Sequence, residues 1–294
     1  MSIISFMMRR GSKKSDAKRD AGLVYPDDVT RVENISYGPY KENLLDVYRP
    51  KDAQGDLPVI VSVHGGGWVY GDKELYSHYC VSLAQRGFVV VNFTYRLSPK
   101  SKFPCHLEDT TMVFEWVLKN ASQYGVDKDN IFAVGDSAGG HILALYCALC
   151  TNPEYASEFE FKVTEGFVPK AIALNCAVLD MEAAKSGLGK ATMYLMKDVL
   201  PRKNMEKYIA LANPIAHVNE KFPTCYIMTS NDDFLKEQPE TFKKELDEHG
   251  VSYEYKFFGD EENLLGHVFH LDMRNKIGKI CNDMECTFFK SMIK

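Results

Sequence analysis

The chain has 294 residues, of which 45% are hydrophobic, and a formal net charge of -5. This length and apolar content are enough for a large core and exclude a chain that is disordered throughout. The negative charge offers no general attraction to nucleic acid or anionic lipid. We therefore expect a small neutral or weakly charged ligand, no nucleic-acid partner and no stable membrane association. No apolar run reaches the ~18 residues that a membrane-spanning helix needs.

Residues 1–31 are predicted to form a basic N-terminal arm. Residues 1–20 hold six Lys or Arg and two Asp, which gives this segment a net charge of +4. Its apolar residues precede its basic ones, the reverse of a secretory signal, and we therefore expect a cytoplasmic location. We interpret the arm as mobile or as part of a cap, in preference to a lipid or nucleic-acid contact.

From residue 32 onward the pattern is typical of an α/β fold. Residues 32–37 and 44–48 are short β-like runs joined by a polar turn, which predicts an antiparallel hairpin. Apolar runs then alternate with helix-length segments, as in a mostly parallel sheet covered by helices on both faces. The predicted strands are 57–63, 88–95, 130–134, 170–176, 224–229 and 251–257, and the predicted helices are 76–86, 107–124, 138–149, 239–250 and 276–290.

Residues 181–217 break this alternation, because they are helical in pattern without a strand of their own. We predict that they form a small helical cap over the site. No internal repeat, low-complexity tract or proline-rich linker divides the chain, so residues 32–294 are predicted to be a single domain with this cap inserted.

Eight cysteines are scattered along the chain, mostly within apolar runs, and are interpreted as reduced, buried thiols. Cys147 and Cys150 form a CxxC pair in the middle of a predicted helix. A redox thiol of low pKa would be expected at a helix N-terminus, so we attribute this pair to core packing.

The segment Gly135-Asp136-Ser137-Ala138-Gly139 directly follows an apolar run and directly precedes a predicted helix. A strand, a tight turn and a helix in this order hold a serine hydroxyl out into a site, and glycine tolerates the strained, crowded backbone beside it. This context predicts that Ser137 is a nucleophile.

A second motif, His64-Gly65-Gly66-Gly67-Trp68, follows the predicted strand 57–63. Consecutive glycines allow backbone N–H groups to point at one position, where they can stabilise the charge of a tetrahedral intermediate. We predict an oxyanion hole formed by the N–H groups of Gly66, Gly67 and Ala138, the last being the residue after the nucleophile at a helix start. His64 is expected to brace this loop, and Asp136 to anchor it as an acceptor.

With these two motifs the sequence resembles the α/β-hydrolase superfamily, and within it the HGGG esterases similar to hormone-sensitive lipase and to bacterial acetyl and feruloyl esterases. The resemblance covers nearly all of the chain from residue 32 and includes the run 95–99, Phe103-Pro104, and 107–109 with Trp116. It implies an α/β-hydrolase fold and a serine carboxylesterase that needs no cofactor and acts on short-chain, acetyl-like esters of small molecules. Acetylated carbohydrates and phenolic esters are candidate substrates, and Arg96 is expected to pair with Asp109.

The same resemblance places the acid and the histidine after Ser137 in the chain. Asp233 matches the family pattern Asp-x-Leu, whereas Asp232 does not and remains the alternative acid. His267 matches the family histidine that precedes an aromatic residue, and His270 is its rival. The acid would orient the histidine through Nδ1, and the histidine would accept the proton of Ser137.

Other assignments are weaker on sequence grounds. The spacing of His267 and His270 permits a metal ligand pair, but no carboxylate or cysteine cluster supports it and no metal is predicted. Trp68, Tyr70, Met193 and Tyr194 are candidate substrate-pocket walls, although core packing explains such residues equally well. Two other functions stay open: an amide hydrolase resembling kynurenine formamidases, which share HGGGW, and a non-catalytic ligand-binding protein on the same fold. The sequence makes no prediction of oligomeric state.

Overall fold

A computed structural model describes residues 1–182 and 189–293 of the chain. In this part of the chain eight strands form one sheet, in the order β1-β2-β4-β3-β5-β6-β7-β8. β1 and β2 form the predicted antiparallel hairpin, β2 pairs antiparallel with β4, and the pairs from β4 to β8 are all parallel. The strands are β1 Val29–Ser36, β2 Leu44–Pro50, β3 Leu57–Val63, β4 Val89–Phe93, β5 Val126–Asp136, β6 Ala171–Asn175, β7 Thr224–Ser230 and β8 Tyr253–Phe258.

Helices cover both faces of the sheet. Side chains of β3 alternate between two hydrophobic clusters, with Val59 and Val61 in one and Ile60 in the other, as expected of a strand buried on both faces. α3, α4 and α8 contribute to the first cluster, and α2 and α9 to the second. The α-helices of the described chain are α1 Ile3–Asp20, α2 Ser77–Gln85, α3 Cys105–Tyr124, α4 Ala138–Thr151, α5 Pro153–Ser157, α6 Gly189–Val199, α7 Met205–Leu211, α8 Gln238–Glu248 and α9 Lys276–Ser291.

The predicted elements agree with the structure in kind and differ at their ends. β1 begins at Val29, ahead of the predicted run at residue 32, and β5 spans Val126–Asp136 instead of 130–134. Residues 127–129 are polar because they lie at the solvent-accessible start of β5. A search for apolar runs therefore misses the first part of this strand. Of the predicted cap, residues 183–188 lie outside the described chain, and 189–217 contain α6, α7 and a short 3-10 turn at Pro214–His217.

The N-terminal arm contains an 18-residue helix, α1, which docks through polar contacts. The hydroxyl of Ser5 donates to Asp198 of α6 over 2.8 Å. Arg9 donates from Nε to the carbonyl of Val69 and from Nη2 to that of Ser98, over 2.5 and 2.9 Å. The Arg9 contacts fix α1 against the loops that follow β3 and β4, and the Ser5 contact connects it to α6.

No helix in the described ranges is both long and apolar enough to cross a membrane.

Candidate active site

Ser137 lies in the sharp turn between β5 and α4, which we call the nucleophile turn (residues 135–139). Its φ of 50° and ψ of -119° are strained for a residue with a side chain, as expected of a serine held out of the regular backbone. The glycines on either side are required by space, since a Cβ on Gly135 would lie 2.7 Å from the backbone of Gly139. The backbone N–H of Ser137 donates to Asn175 O at the end of β6, which ties the turn to the sheet.

Asp233 and His267 form a hydrogen-bonded pair beyond the ends of β7 and β8. His267 Nδ1 lies 2.7 Å from Asp233 Oδ1, which also accepts from the N–H of Leu235, while Oδ2 accepts from Thr229 Oγ1 over 2.9 Å. Burial of Asp233 disfavours its charged form, but the hydrogen bond and charge of His267 outweigh burial, so the pKa of this carboxyl lies below its ordinary value. The carboxylate is therefore ionised and holds Nε2 of His267 free to exchange a proton.

The rival residues lie elsewhere. The side chain of Asp232 is exposed, and its backbone pairs with the chain around Gly266. His270 is fully buried with its ring against Tyr79, and burial lowers its pKa to about 3. The structure thus brings Asp233 and His267 together and leaves Asp232 and His270 outside the pair.

Ser137 and His267 line the same cavity, which has a volume of about 260 Å³. We call it the catalytic cavity. Gly65 and Gly66 line it too, whereas Gly67 does not. Gly67 lies beneath Met8, whose Cε would be 2.5 Å from a Cβ at that position.

The glycine loop, residues 64–71, carries the predicted oxyanion donors. Gly66 and Gly67 have φ values of 109° and 57°, which favour glycine, and within the described chain no acceptor takes up their N–H groups. Ala138 is the first residue of α4, and the N–H of a first helical residue has no partner within the helix. These three N–H groups are therefore unpaired. A bound ligand would have to supply an acceptor that all three can reach.

Two further residues shape the glycine loop. His64 is fully buried and bonds from Nδ1 to Gly65 O over 2.7 Å, and burial lowers its pKa to about 4. Asp136 is buried as well, and burial raises its pKa to about 6 against the opposing hydrogen bond from Tyr76. His64 thus bonds within this loop, whereas the hydrogen bonds of Asp136 reach the loop through the Tyr76 hydroxyl, which accepts from the N–H of Gly65.

The predicted pocket walls are placed differently from one another. Tyr70 lines the catalytic cavity and donates its hydroxyl to Asp16 over 2.8 Å. Trp68 instead lines a separate small internal cavity and donates from Nε1 to His141. Tyr194 is 51% exposed beside Met1 at the surface, and Met193 is half-buried on α6.

One face of α1 forms a wall of the catalytic cavity that the sequence analysis did not identify. The residues on this face are Met8, Ser12, Ser15, Asp16 and Arg19. Residues spaced three or four apart lie on one face of a helix, so the sequence does contain the spacing of this face. The segment does not look like a helix in the sequence, because it contains a glycine and many polar residues. Phe234 was also missed, and its ring lies 4.3 Å from that of His267.

Cys176 lies at the end of β6 beside the acid–histidine pair. Its Sγ, one Asp233 oxygen and one His267 ring nitrogen all lie within 4.8 Å of one another. The thiol hydrogen bonds to Asp233, and burial raises the pKa of Cys176 well above its ordinary value, so the sulfur remains protonated. The protonated thiol therefore donates a hydrogen bond to the carboxylate of Asp233.

The scaffold beneath the site contains a buried ion pair and a buried cysteine of the CxxC pair. Arg96 Nη2 lies 2.7 Å from Asp109 Oδ1, which confirms the predicted ion pair. Cys147 and Cys150 lie within α4, and Cys147 is completely buried in the core.

The mostly parallel sheet, the serine in the turn after β5, and an acid and a histidine beyond β7 and β8 define the α/β-hydrolase fold. Within this class, the family model described as BD-FAE matches residues 45–246. The chain belongs to the BD-FAE family.

Curated relatives and solved structures agree with this placement. The chain is similar to a probable carboxylic ester hydrolase, LipM, of Mycobacterium tuberculosis, with 30% identity over 71% of this chain and 49% of the relative. It is also similar to versiconal hemiacetal acetate esterase of Dothistroma septosporum, with 42% identity over 41% of this chain and 35% of that protein. The chain spans about half the length of the first curated relatives it matches. Inhibited esterase B from Lactobacillus rhamnosis has the same fold, with a TM-score of 0.89 and 22% identity over 99% of this chain and 97% of that one.

Proposed function

We propose that this protein is a serine carboxylesterase with Ser137 as nucleophile, His267 as general base and Asp233 as the orienting acid. The observation that carries the proposal is the 2.7 Å bond between His267 Nδ1 and Asp233 Oδ1 beside the cavity that Ser137 lines. The names of the relatives, which are ester hydrolases, support the same reaction.

In this mechanism Ser137 Oγ attacks the ester carbonyl carbon while His267 Nε2 takes the hydroxyl proton. The carbonyl oxygen becomes an oxyanion, which the N–H groups of Gly66, Gly67 and Ala138 would stabilise. When the intermediate collapses, the bond to the alcohol breaks and His267 returns the proton to the leaving oxygen. Water then attacks the acyl-enzyme by the same route and releases the carboxylic acid.

The proposed substrates are short-chain, acetyl-like esters of small molecules, including acetylated carbohydrates. A cavity of about 260 Å³ suits a small ester, and one relative is named an acetate esterase. The wall formed by α1 supports a hydroxyl-bearing alcohol, because no group of the described chain takes up the hydroxyls of Ser12 and Ser15 there. The neighbouring Asp16 and Arg19 neutralise each other at 3.1 Å, so this wall is polar without a strong net charge.

The test is an acyl-length series of p-nitrophenyl esters run beside a panel of acetylated sugars and N-formylkynurenine. We expect turnover to be highest for acetyl and to fall with longer chains, and to disappear in Ser137→Ala. Hydrolysis of N-formylkynurenine alone would favour the amide hydrolase, and tight binding of an ester without turnover would favour a non-catalytic binding protein.

We also propose a single domain over residues 32–294 with the cap inserted at 181–217, and a cytoplasmic location. The continuous sheet from β1 to β8 supports one domain. The eight cysteines support a reducing compartment, since all of them are unpaired thiols. A small-molecule ester is the only kind of partner that this proposal requires.

A further inference from the structure

The hydroxyl of Tyr76 joins the two backbone segments on which the proposed chemistry depends. It accepts a hydrogen bond from the N–H of Gly65 over 2.8 Å and donates one to Asp136 Oδ2 over 2.8 Å. Gly65 precedes the proposed oxyanion donors of the glycine loop, and Asp136 precedes Ser137 in the nucleophile turn. We propose that Tyr76 is a positioning residue that holds the oxyanion donors at a fixed distance from Ser137.

The pairing of strands alone does not fix this distance. β3 and β5 are paired as far as Val63 and Gly135, and Asp136 still pairs with Asn175 of β6. Beyond Val63 and Asp136 the glycine loop and Ser137 leave the sheet. The Tyr76 hydroxyl makes the next connection between these two segments, and there is no free space around it. A Cβ at Gly65 would lie 2.5 Å from Asp136 Oδ2 and 3.0 Å from the Tyr76 hydroxyl, so only glycine permits the close approach.

Tyr76 is itself held firmly. Its side chain is buried, with 6% of its surface exposed, at the end of a short 3-10 turn, Lys73–Tyr76. Asp72 caps this turn through the N–H of Leu75, and Arg19 of α1 donates to the carbonyl of Leu75 over 2.8 Å. We call the two hydrogen bonds of the Tyr76 hydroxyl, to Gly65 and Asp136, the tie. Through Arg19 and Leu75, α1 supports the turn that carries Tyr76.

Loss of this tie should act on the transition state more than on substrate binding. An oxyanion donor stabilises the charge that develops during attack, and removal of one donor typically costs about 10²–10³-fold in kcat. Release of the tie displaces the donors without deleting them. We therefore expect Tyr76→Phe to lower kcat by about 10–100-fold, with KM changed by less than about 3-fold.

The tie also has an electrostatic consequence that a purely structural residue would lack. The Tyr76 hydroxyl stabilises the charged form of Asp136 against burial, and that charge in turn favours the imidazolium of His267 that forms during attack. Without the hydroxyl the pKa of Asp136 rises, so Asp136 becomes protonated at a higher pH. The acid side of the kcat profile should therefore differ between Tyr76→Phe and wild type. The other titratable or charged groups that act on Asp136 are His267, Arg19, Glu285, Tyr95, Cys80 and Cys176.

Tyr79→Phe is a matched control. Tyr79 is equally buried, and its hydroxyl donates to the carboxylate of Glu285 over 2.8 Å, but it makes no bond to the glycine loop or the nucleophile turn in the described chain. Both variants thus lose a buried hydrogen bond to a carboxylate. Tyr76→Phe also leaves the N–H of Gly65 without its acceptor, so we expect it to lose more stability than Tyr79→Phe. Only Tyr76→Phe should lose kcat.

The experiment uses the full chain and compares wild type, Tyr76→Phe and Tyr79→Phe. We would measure kcat and KM for p-nitrophenyl acetate from pH 5 to 9, melting temperatures, and the affinity of a boronic acid that adds to serine as a tetrahedral adduct. We expect Tyr76→Phe to weaken the boronic acid by about the same factor as kcat, because both report oxyanion stabilisation. Equal kcat losses in the two variants, or an unchanged boronic-acid affinity in Tyr76→Phe, would overturn the proposal.

A second pair of variants covers the case in which Tyr76→Phe does not fold. Asp136→Asn and Asp136→Ala both remove the charge, but only Asp136→Asn keeps an oxygen acceptor for the Tyr76 hydroxyl. We expect kcat to be lower in Asp136→Ala than in Asp136→Asn, and equal kcat in the two variants would contradict the proposal. The inference rests on the proposed function but fails separately from it, because turnover that depends on Ser137 would persist if Tyr76 had no positioning role.

Discussion

At the scale of single residues, the surroundings of a side chain decide which of two identical residues belongs to the acid–histidine pair. Asp233 is 2% exposed and accepts four hydrogen bonds through its two oxygens, whereas the adjacent Asp232 is exposed to solvent. His267 faces the catalytic cavity, whereas His270 is buried. Identical side chains thus differ in role because of the surroundings that the strand ends give them.

This difference predicts the outcome of a paired substitution. Asp233→Asn should lower kcat by about 10³–10⁴-fold, because the amide no longer favours the imidazolium and can hold the wrong tautomer of His267. Asp232→Asn, with the same chemical change one residue away, should leave kcat within about 2-fold, since an exposed carboxylate outside the pair has no part in the chemistry. Steady-state turnover of p-nitrophenyl acetate at pH 8 checks both, with melting temperatures as a folding control. A larger loss in Asp232→Asn would reverse the assignment of the acid.

At the scale of elements, α1 forms part of the cavity although the rest of the site comes from the ends of the strands. The sequence predicted the strand before Ser137, the turn and the helix after it, because glycines and a change of period mark them. It also contained the helical spacing of the α1 face. It could not place that face over the cavity, because docking depends on tertiary bonds such as Arg9 to Val69. The contact of Tyr76 with Gly65 and Asp136 arises in the same way, from the folding together of distant segments.

The α1 wall leads to a prediction about selectivity. Replacement of both Ser12 and Ser15 by Val removes the two hydroxyls that we propose bind the alcohol part of the substrate, and puts larger, apolar, β-branched side chains in their place. We expect kcat/KM for an acetylated sugar to fall by about 10-fold or more, since each lost hydrogen bond costs roughly 1 kcal/mol. The value for p-nitrophenyl acetate should hardly change, because its alcohol bears no hydroxyl.

Ala17→Val is the control for this pair, since Ala17 lies on the exposed side of α1 and receives the same β-branched side chain. Its kcat/KM should match wild type for both substrates. A parallel loss for the sugar ester and the phenyl ester in Ser12→Val/Ser15→Val would mean that the wall supports folding and does not recognise the alcohol.

At the scale of the whole molecule, an ionisable group buried between sheet and helix links stability to pH. Glu285 of α9 is completely buried, accepts from Tyr79 over 2.8 Å and from Asn175 Nδ2 over 2.5 Å, and has its pKa raised to about 7 by burial despite these two donors. Asn175 Oδ1 is buried without a partner in the described chain. This cluster lies behind β6, the strand whose last residue accepts the N–H of Ser137.

Linkage gives the sign of the effect. Glu285 in the unfolded chain loses its proton near its ordinary pKa of 4.5, whereas the folded protein keeps the proton to about pH 7. Between these two pH values the native state binds more protons than the unfolded state, so the free energy of unfolding falls as pH rises. Above the pKa of folded Glu285 both states have lost the proton, and the free energy no longer changes with pH through this group. With 1.36 kcal/mol for each pKa unit, the contribution lost by pH 8 is about 3 kcal/mol.

Glu285→Gln removes this dependence and should stabilise the protein at alkaline pH. The glutamine amide can accept from Tyr79, and its NH₂ can donate to Asn175 Oδ1 once the Asn175 amide rotates to offer its unpaired oxygen. At pH 8 we expect Glu285→Gln to unfold at a higher urea concentration than wild type, with a free energy of unfolding about 1–3 kcal/mol larger. At pH 4.5 the two proteins should have the same free energy of unfolding. Urea denaturation at both pH values measures the difference. A difference that is the same at both pH values would show that the variant acts through packing, and that the titration of Glu285 does not set the stability of the fold.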